Sequence, residues 1–281
     1  MRLRNGVGME INGQGVRNVK VTVLFGTGDT PARALMLNLV KHNRLASCLK
    51  CEQRGECRGD SSGARVFPYR PEVMKPRTKE PLKRQGFLAM NVKKGSYMGC
   101  EGPNYLHGVT PDPVRGTSID EMHHGGQFKS DLKFFLENSF NYLIYKASKL
   151  SRSVIDDKFM KMKPHFLTRV PNSINDIGMW QTSLHKSMSL YYALPVLKGT
   201  VPDVNFEYFA TLVAAAQYLN SDCVTPDCLT KADALIHKYV LYFEDLYRRK
   251  NMPLNVHLLL HLVELVEEHG PLTLFSCYPM V

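Results

Sequence analysis

Along most of the chain, apolar residues recur three and four positions apart. The pattern starts in SIDEMHHGGQFKSDLKFFLENSFNYLIYKASKL and continues through SMSLYYALPVL, FEYFATLVAAAQYLN, CLTKADALIHKYVLYFEDLYRR and NVHLLLHLVELVEEHG. This spacing predicts helices that bury one face each. Pro171, Pro195, Pro202, Pro226, Pro253 and Pro271 divide the run into segments. The opening is different. VRNVKVTVLF alternates apolar and polar residues and then turns wholly apolar, as a strand does on entering a sheet core. GTGDTPARALMLNLVKH follows as a glycine turn and a helix, with Asp29 or Thr30 marking its start and Pro31 in its first turn. Asp29 therefore stands just past the carboxyl end of a strand, where open α/β sheets collect functional groups. Capping alone would put it in the same place. Residues 52–120 are rich in Gly, Pro and charge and read as loops with short helices. The predicted class is mainly α with a small α/β part.

A chain of 281 residues with 44% hydrophobic content can bury a sizeable core. No apolar run approaches the ~20 residues of a membrane span, and MRLRNGVGMEINGQG lacks the apolar stretch of a secretory signal. Seven cysteines, an odd and uneven set, suggest a reducing compartment with thiols free for metal. The formal charge of +10 favours polyanionic partners. Positive charge concentrates in residues 72–94 and 145–165, and a solvated surface explains those stretches as well as DNA phosphate contact does.

His257 and His261, four apart, fall on one helix face, the geometry two imidazoles need to share an ion. Taken alone, a histidine on an apolar face is more often a core residue. Leu258 occupies the place of a general base and excludes the His-Glu-x-x-His protease pattern. SCLKC supplies Cys48 and Cys51, and two thiolates with two imidazoles complete a closed tetrahedral Zn²⁺ site. Cys57 is an alternative ligand. Cys223 and Cys228 are spaced too widely for a knuckle, and Cys100 and Cys277 read as small buried residues.

The order Asp29, Cys48-x-x-Cys51, a long helical stretch and His257-x-x-x-His261 resembles the transposases of CACTA-type (En/Spm) DNA transposons. The words that carry the likeness are GDTPARALMLNLVKHNRLASCLKC, GCEGPNYLHGVTPDPVRGTSIDEMHH, RVPNSINDIGMWQTSLHKSMSLYYALPVL and YFEDLYRRKNMPLNVHLLLHLVELVEEHGPL, and they span nearly the whole chain. The resemblance implies an incomplete RNase H-like core with the CxxC over residues 1–57, a loop-rich basic connector over 58–118, and a helical insertion domain over 119–281. In such enzymes three carboxylates hold two Mg²⁺ ions for in-line attack on a phosphodiester. Asp29 matches the second acid, and the Cys and His pairs match a structural zinc site. The first acid has no counterpart, Glu10 is not its equivalent, and Val281 falls near the third acid position. Gln181 and Leu184 stand where the family tends to carry Lys and Glu.

These departures imply a fragment that is inactive alone, with Mg²⁺ belonging to an intact ancestor, and a nuclear protein that retains DNA contact. Self-association or a protein partner through the incomplete sheet is a further expectation. Two other readings stand beside it. One is a zinc-stabilised helical interaction module without DNA activity. The other is a metal-dependent hydrolase using Asp29, Asp120, His123 and His124.

Overall fold

A computed structural model describes residues 6–10, 12–13, 15–93, 95–119, 149–162, 173–180 and 182–275. The chain divides into two compact units: Met1–Arg65 with Arg70–Ile119, and Val66–Tyr69 with Asp120–Val281.

The first unit carries the α/β part. Strands β1 (Val7–Glu10) and β2 (Val16–Val19) form an exposed antiparallel ribbon. β3 (Gly26–Gly28) pairs in parallel with β6 (Thr117–Ile119), and β4 (Glu56–Cys57) pairs with β5 (Arg65–Val66). Helix α1 (Thr30–Leu37) follows β3 directly, and α2 (Lys79–Ala89) lies in the connection towards β6. The core gathers Ala34 and Leu37 of α1 with Leu39, Leu49, Leu82, Ala89, Cys100 and Val114. Gly86 lets α2 approach this core closely, since a Cβ there would stand 2.6 Å from the Gly102 carbonyl oxygen.

One expectation is corrected here. The apolar run through Phe25 does not enter a sheet core. The ladder of β2 ends at Val19, and Val21, Val23, Leu24 and Phe25 are exposed. A strand is completed by partners. Here the parallel pairing reaches back only to Gly26, with single bonds from Val23 N–H to Val109 and from Gly26 N–H to Gly116 before it.

The second unit is helical. It comprises α3 (Lys149–Lys161), α4 (Thr182–Ser187), a π turn (Met188–Tyr192), α5 (Ala193–Leu197), α6 (Asp203–Leu219), α7 (Pro226–Tyr247), α8 (Leu254–Leu259) and α9 (Leu262–His269). Tyr208 of α6 stacks on Tyr239 of α7 at 4.7 Å and meets Tyr247 of the same helix edge-on at 5.8 Å. Three prolines mark helix starts: Pro202 and Pro253 precede α6 and α8, and Pro226 opens α7 behind the Thr225 cap. Pro195 instead lies inside α5, one turn after the π turn that widens the backbone where its ring would strike the carbonyl of residue 191. The segment Val66–Tyr69 belongs to this unit: Phe67 N–H donates to the Met252 carbonyl, and Tyr69 N–H to Glu244 Oε2. Among the described residues no helix is long and apolar enough to cross a membrane.

Candidate metal centre

The CxxC turn is built by main-chain pinning. Arg77 N–H donates to Lys50 O at 2.7 Å, Glu52 N–H to Lys75 O at 2.8 Å, and Cys51 bridges Pro76. The Arg77 side chain, 4% exposed, donates from Nε to Cys48 O and from Nη2 to the Ala46 and Met98 carbonyls. Lys50, inside the turn, is buried too, and its ammonium donates to Val114 O at 3.0 Å. Both buried cations donate to main-chain carbonyls, which offsets part of their desolvation.

Within the turn, Cys51 N–H points at Cys48 Sγ at 3.4 Å, and the two sulfurs are 3.6 Å apart. A regular tetrahedron with Zn–S bonds of ~2.3 Å has an S–S edge of about 3.8 Å. The bonded contact with Cys48, then burial, pushes the Cys51 thiol far above its ordinary range. Two thiols held this closely resist a second negative charge until a cation supplies compensation.

The histidines are not on one continuous helix, which corrects the expected geometry. His257 lies in α8, while His261 is the residue before α9. Between them Leu260 N–H donates to His257 O and His261 N–H to Leu258 O, the i to i+3 bonds of a tightened 3₁₀ turn. The rings remain neighbours at 5.2 Å between centroids, and Phe67 packs on His257 at 5.5 Å. Glu264 Oε2 stands 3.9 Å from His261 Nδ1.

Cys48, Cys51, His257 and His261 form a buried cluster in which one ligand atom from each lies within 4.8 Å of the others. This donor set is suited to a metal ion such as zinc. The remaining cysteines behave differently. Cys57 is exposed and its Sγ accepts from Arg65 Nη1, so it stands outside the cluster. Cys100 is buried at 1% exposure, and desolvation raises its thiol to about 11. Cys228 sits in the first turn of α7, where hydrogen bonding with Thr225 lowers its thiol. Cys277 lies outside the described residues.

Asp29 follows β3 and caps α1, its Oδ1 accepting from Ala32 N–H at 2.7 Å. Among the described residues it joins no group of three or more ligand-bearing side chains. Asp120, His123, His124 and Val281 lie outside the described residues, as do parts of the 145–165 stretch. In the described part of that stretch, Lys158 bonds to Thr200 and the Lys198 carbonyl, and Lys161 pairs with Asp157. A feature that sequence reading missed is the scaffold role of Arg77, which lies within the basic stretch 72–94 yet is turned inward. A scan against protein-family models gave no match for this chain, and a search of curated proteins gave none either.

Proposed function

We propose that the chain derives from a CACTA-type DNA transposase, that its Cys₂His₂ cluster holds a structural Zn²⁺, and that its exposed basic residues contact the DNA backbone. The observation that carries this reading is the convergence of two sulfurs and two imidazoles from widely separated stretches, in the order the resemblance requires. Zinc suits these donors because thiolate and imidazole together favour a tetrahedral d¹⁰ ion. Four protein ligands leave no open coordination position, so the ion would fasten residues 48–51 to residues 257–261 and perform no chemistry. Glu264 would serve as the outer partner that orients His261.

In this reading Asp29 is the surviving second acid of an RNase H-like core, and its position after a parallel strand supports that assignment. In that role it would share two Mg²⁺ ions with further carboxylates against a phosphodiester. DNA contact would come from exposed cations such as Lys75, Lys83, Arg84 and Lys93, which favours a nuclear site of action.

Metal analysis of the purified chain, paired with duplex binding at several salt concentrations, tests the reading. About one zinc per chain, with sequence-tolerant affinity that falls as salt rises, is the expected result. Zinc-loaded, folded protein without DNA affinity would instead identify a helical interaction module. Cleavage of a phosphodiester with Mg²⁺ or Mn²⁺, abolished in Asp29→Ala, would give Asp29 a catalytic role, and absence of DNA binding in protein that also holds no zinc would count against the reading as a whole.

A further inference from the structure

A second concave site lies in the first unit, apart from the four metal ligands. Its cavity measures about 530 Å³, and Arg44, Arg54, Arg65, Tyr97, Gly99 and Glu101 stand in its wall. Three guanidinium groups facing one carboxylate leave a positive surplus in a cleft of small-ligand size.

Backbone bonds build this cleft. Gly55 N–H donates to Leu45 O at 2.7 Å, which ties together the two segments that carry Arg44 and Arg54 into the cavity wall. Both are exposed, and neither has a carboxylate partner among the described residues. Arg65 comes from β5; its Nη1 donates to Cys57 Sγ, while its Nε is shielded from water with no hydrogen-bond partner among the described residues. The facing wall is a tight turn in which Tyr97 and Cys100 exchange two 2.8 Å backbone bonds across Met98 (φ 49°) and Gly99 (φ 86°). A Cβ on Gly99 would stand 2.3 Å from Ala46 O, so only glycine permits this approach. Val40 N–H donates to Gly99 O, and Arg77 ties the turn to the Cys48 loop. The walls are therefore fixed without a ligand, and Tyr97 remains 40% exposed at the rim.

Three guanidinium groups set against a single carboxylate still repel one another on balance, and an anion between them offsets that repulsion. Their planar forks match phosphate oxygens, and a tyrosine face accepts a base. Glu101 disfavours a ligand that is anionic throughout and offers an acceptor to a sugar hydroxyl or base amine. We propose that this cavity binds one nucleoside phosphate, with Arg44, Arg54 and Arg65 on the phosphate and Tyr97 against the base. Its source is a free nucleotide or the end of a single DNA strand. The inference needs neither the transposase ancestry nor duplex binding by the basic stretches.

Calorimetric titration of the full chain with thymidine 5′-monophosphate, inorganic phosphate and a 5′-phosphorylated oligothymidylate tests it. The nucleotide should bind about fivefold or more tighter than phosphate, and Arg44→Ala with Arg54→Ala should weaken it roughly tenfold or more. Tyr97→Ala should bring the nucleotide down to the level of phosphate. Lys41→Ala, exposed on the same segment but outside the cavity, should change nothing. Tighter binding of the oligonucleotide than of the mononucleotide identifies a strand end, and equal binding identifies a free nucleotide. Equal affinity for nucleotide and phosphate in the unmodified chain, arginine variants that bind normally, or no binding by protein that circular dichroism reports as folded would each overturn the assignment. Loss of duplex binding alone would count against the preceding functional reading and leave this one standing.

Discussion

Cys48 and Cys57 lie nine positions apart in one loop region, yet their surroundings differ in every respect that matters for a metal. Cys48 is fully buried with its carbonyl held by Arg77, while Cys57 is open to solvent with an arginine on its sulfur. Cys48→Ser should therefore lower zinc content and melting temperature together, whereas Cys57→Ser should leave both unchanged, as metal analysis and thermal melts would report. Equal losses in the two variants would reinstate Cys57 as a ligand. Asp29 allows a similar separation of roles. Its carboxylate accepts from Ala32 N–H at the head of α1, a contact that asparagine can also make. Asp29→Ala should cost about 1 kcal/mol in urea unfolding, while Asp29→Asn should cost only a fraction of that. A large loss in the asparagine variant would mean that the charge itself has a structural partner.

Helices α6 and α7 form the firmest pairing in the second unit, through Tyr208, Tyr239, Phe243 and Tyr247 in mutual ring contact. Tyr239 is fully buried, so Tyr239→Ala should destabilise this unit by about 3 to 5 kcal/mol, the usual range for deleting a large buried ring, readable by denaturant unfolding. These two helices were legible in the sequence because a three-and-four apolar period over many residues, opened by proline, has few competing interpretations. The strand expected through Phe25 was not, because alternation describes one segment while a sheet depends on what pairs with it. Nor was the break before α9. NVHLLLHLVELVEEHG contains no proline and has glycine only at its end, and the break comes from two i to i+3 backbone bonds that the side chains do not announce. The four candidate metal ligands were legible as residue types in pairs, since few other arrangements put Cys-x-x-Cys and His-x-x-x-His in one chain. The arginine cleft was not, because Arg44, Arg54 and Arg65 meet through backbone links, the bond between Gly55 and Leu45 and the pairing of β4 with β5, that local sequence does not announce. Likewise, Arg77 has the same letters around it whether it faces solvent or a row of carbonyls.

Across the molecule, proton binding should narrow the stable range from both sides. Burial first, then Lys83 and Lys79, holds the His107 imidazole below its ordinary value, so the folded state keeps it neutral where the unfolded chain would charge it. A depressed value gives stability that is complete above about 6.5 and lost as pH falls through the folded value. Loss of the proposed zinc would act in the same direction, because thiolate and imidazole ligands take up protons in competition with the metal. On the alkaline side, burial raises the Cys100 thiol to about 11, so the folded state retains a proton that the unfolded chain releases near 9. Stability from this source is complete below 9 and declines as pH rises towards 11. The two acid effects separate experimentally. Melting temperature recorded from neutral pH downward should fall steeply for metal-loaded protein and shallowly for protein stripped by a chelator. His107→Gln should flatten the shallow part and leave the steep part in place. A stripped protein that melts at the same temperature as the loaded one at neutral pH would show that the ion contributes nothing to folding, and the cluster would then be a packed core of thiols and imidazoles.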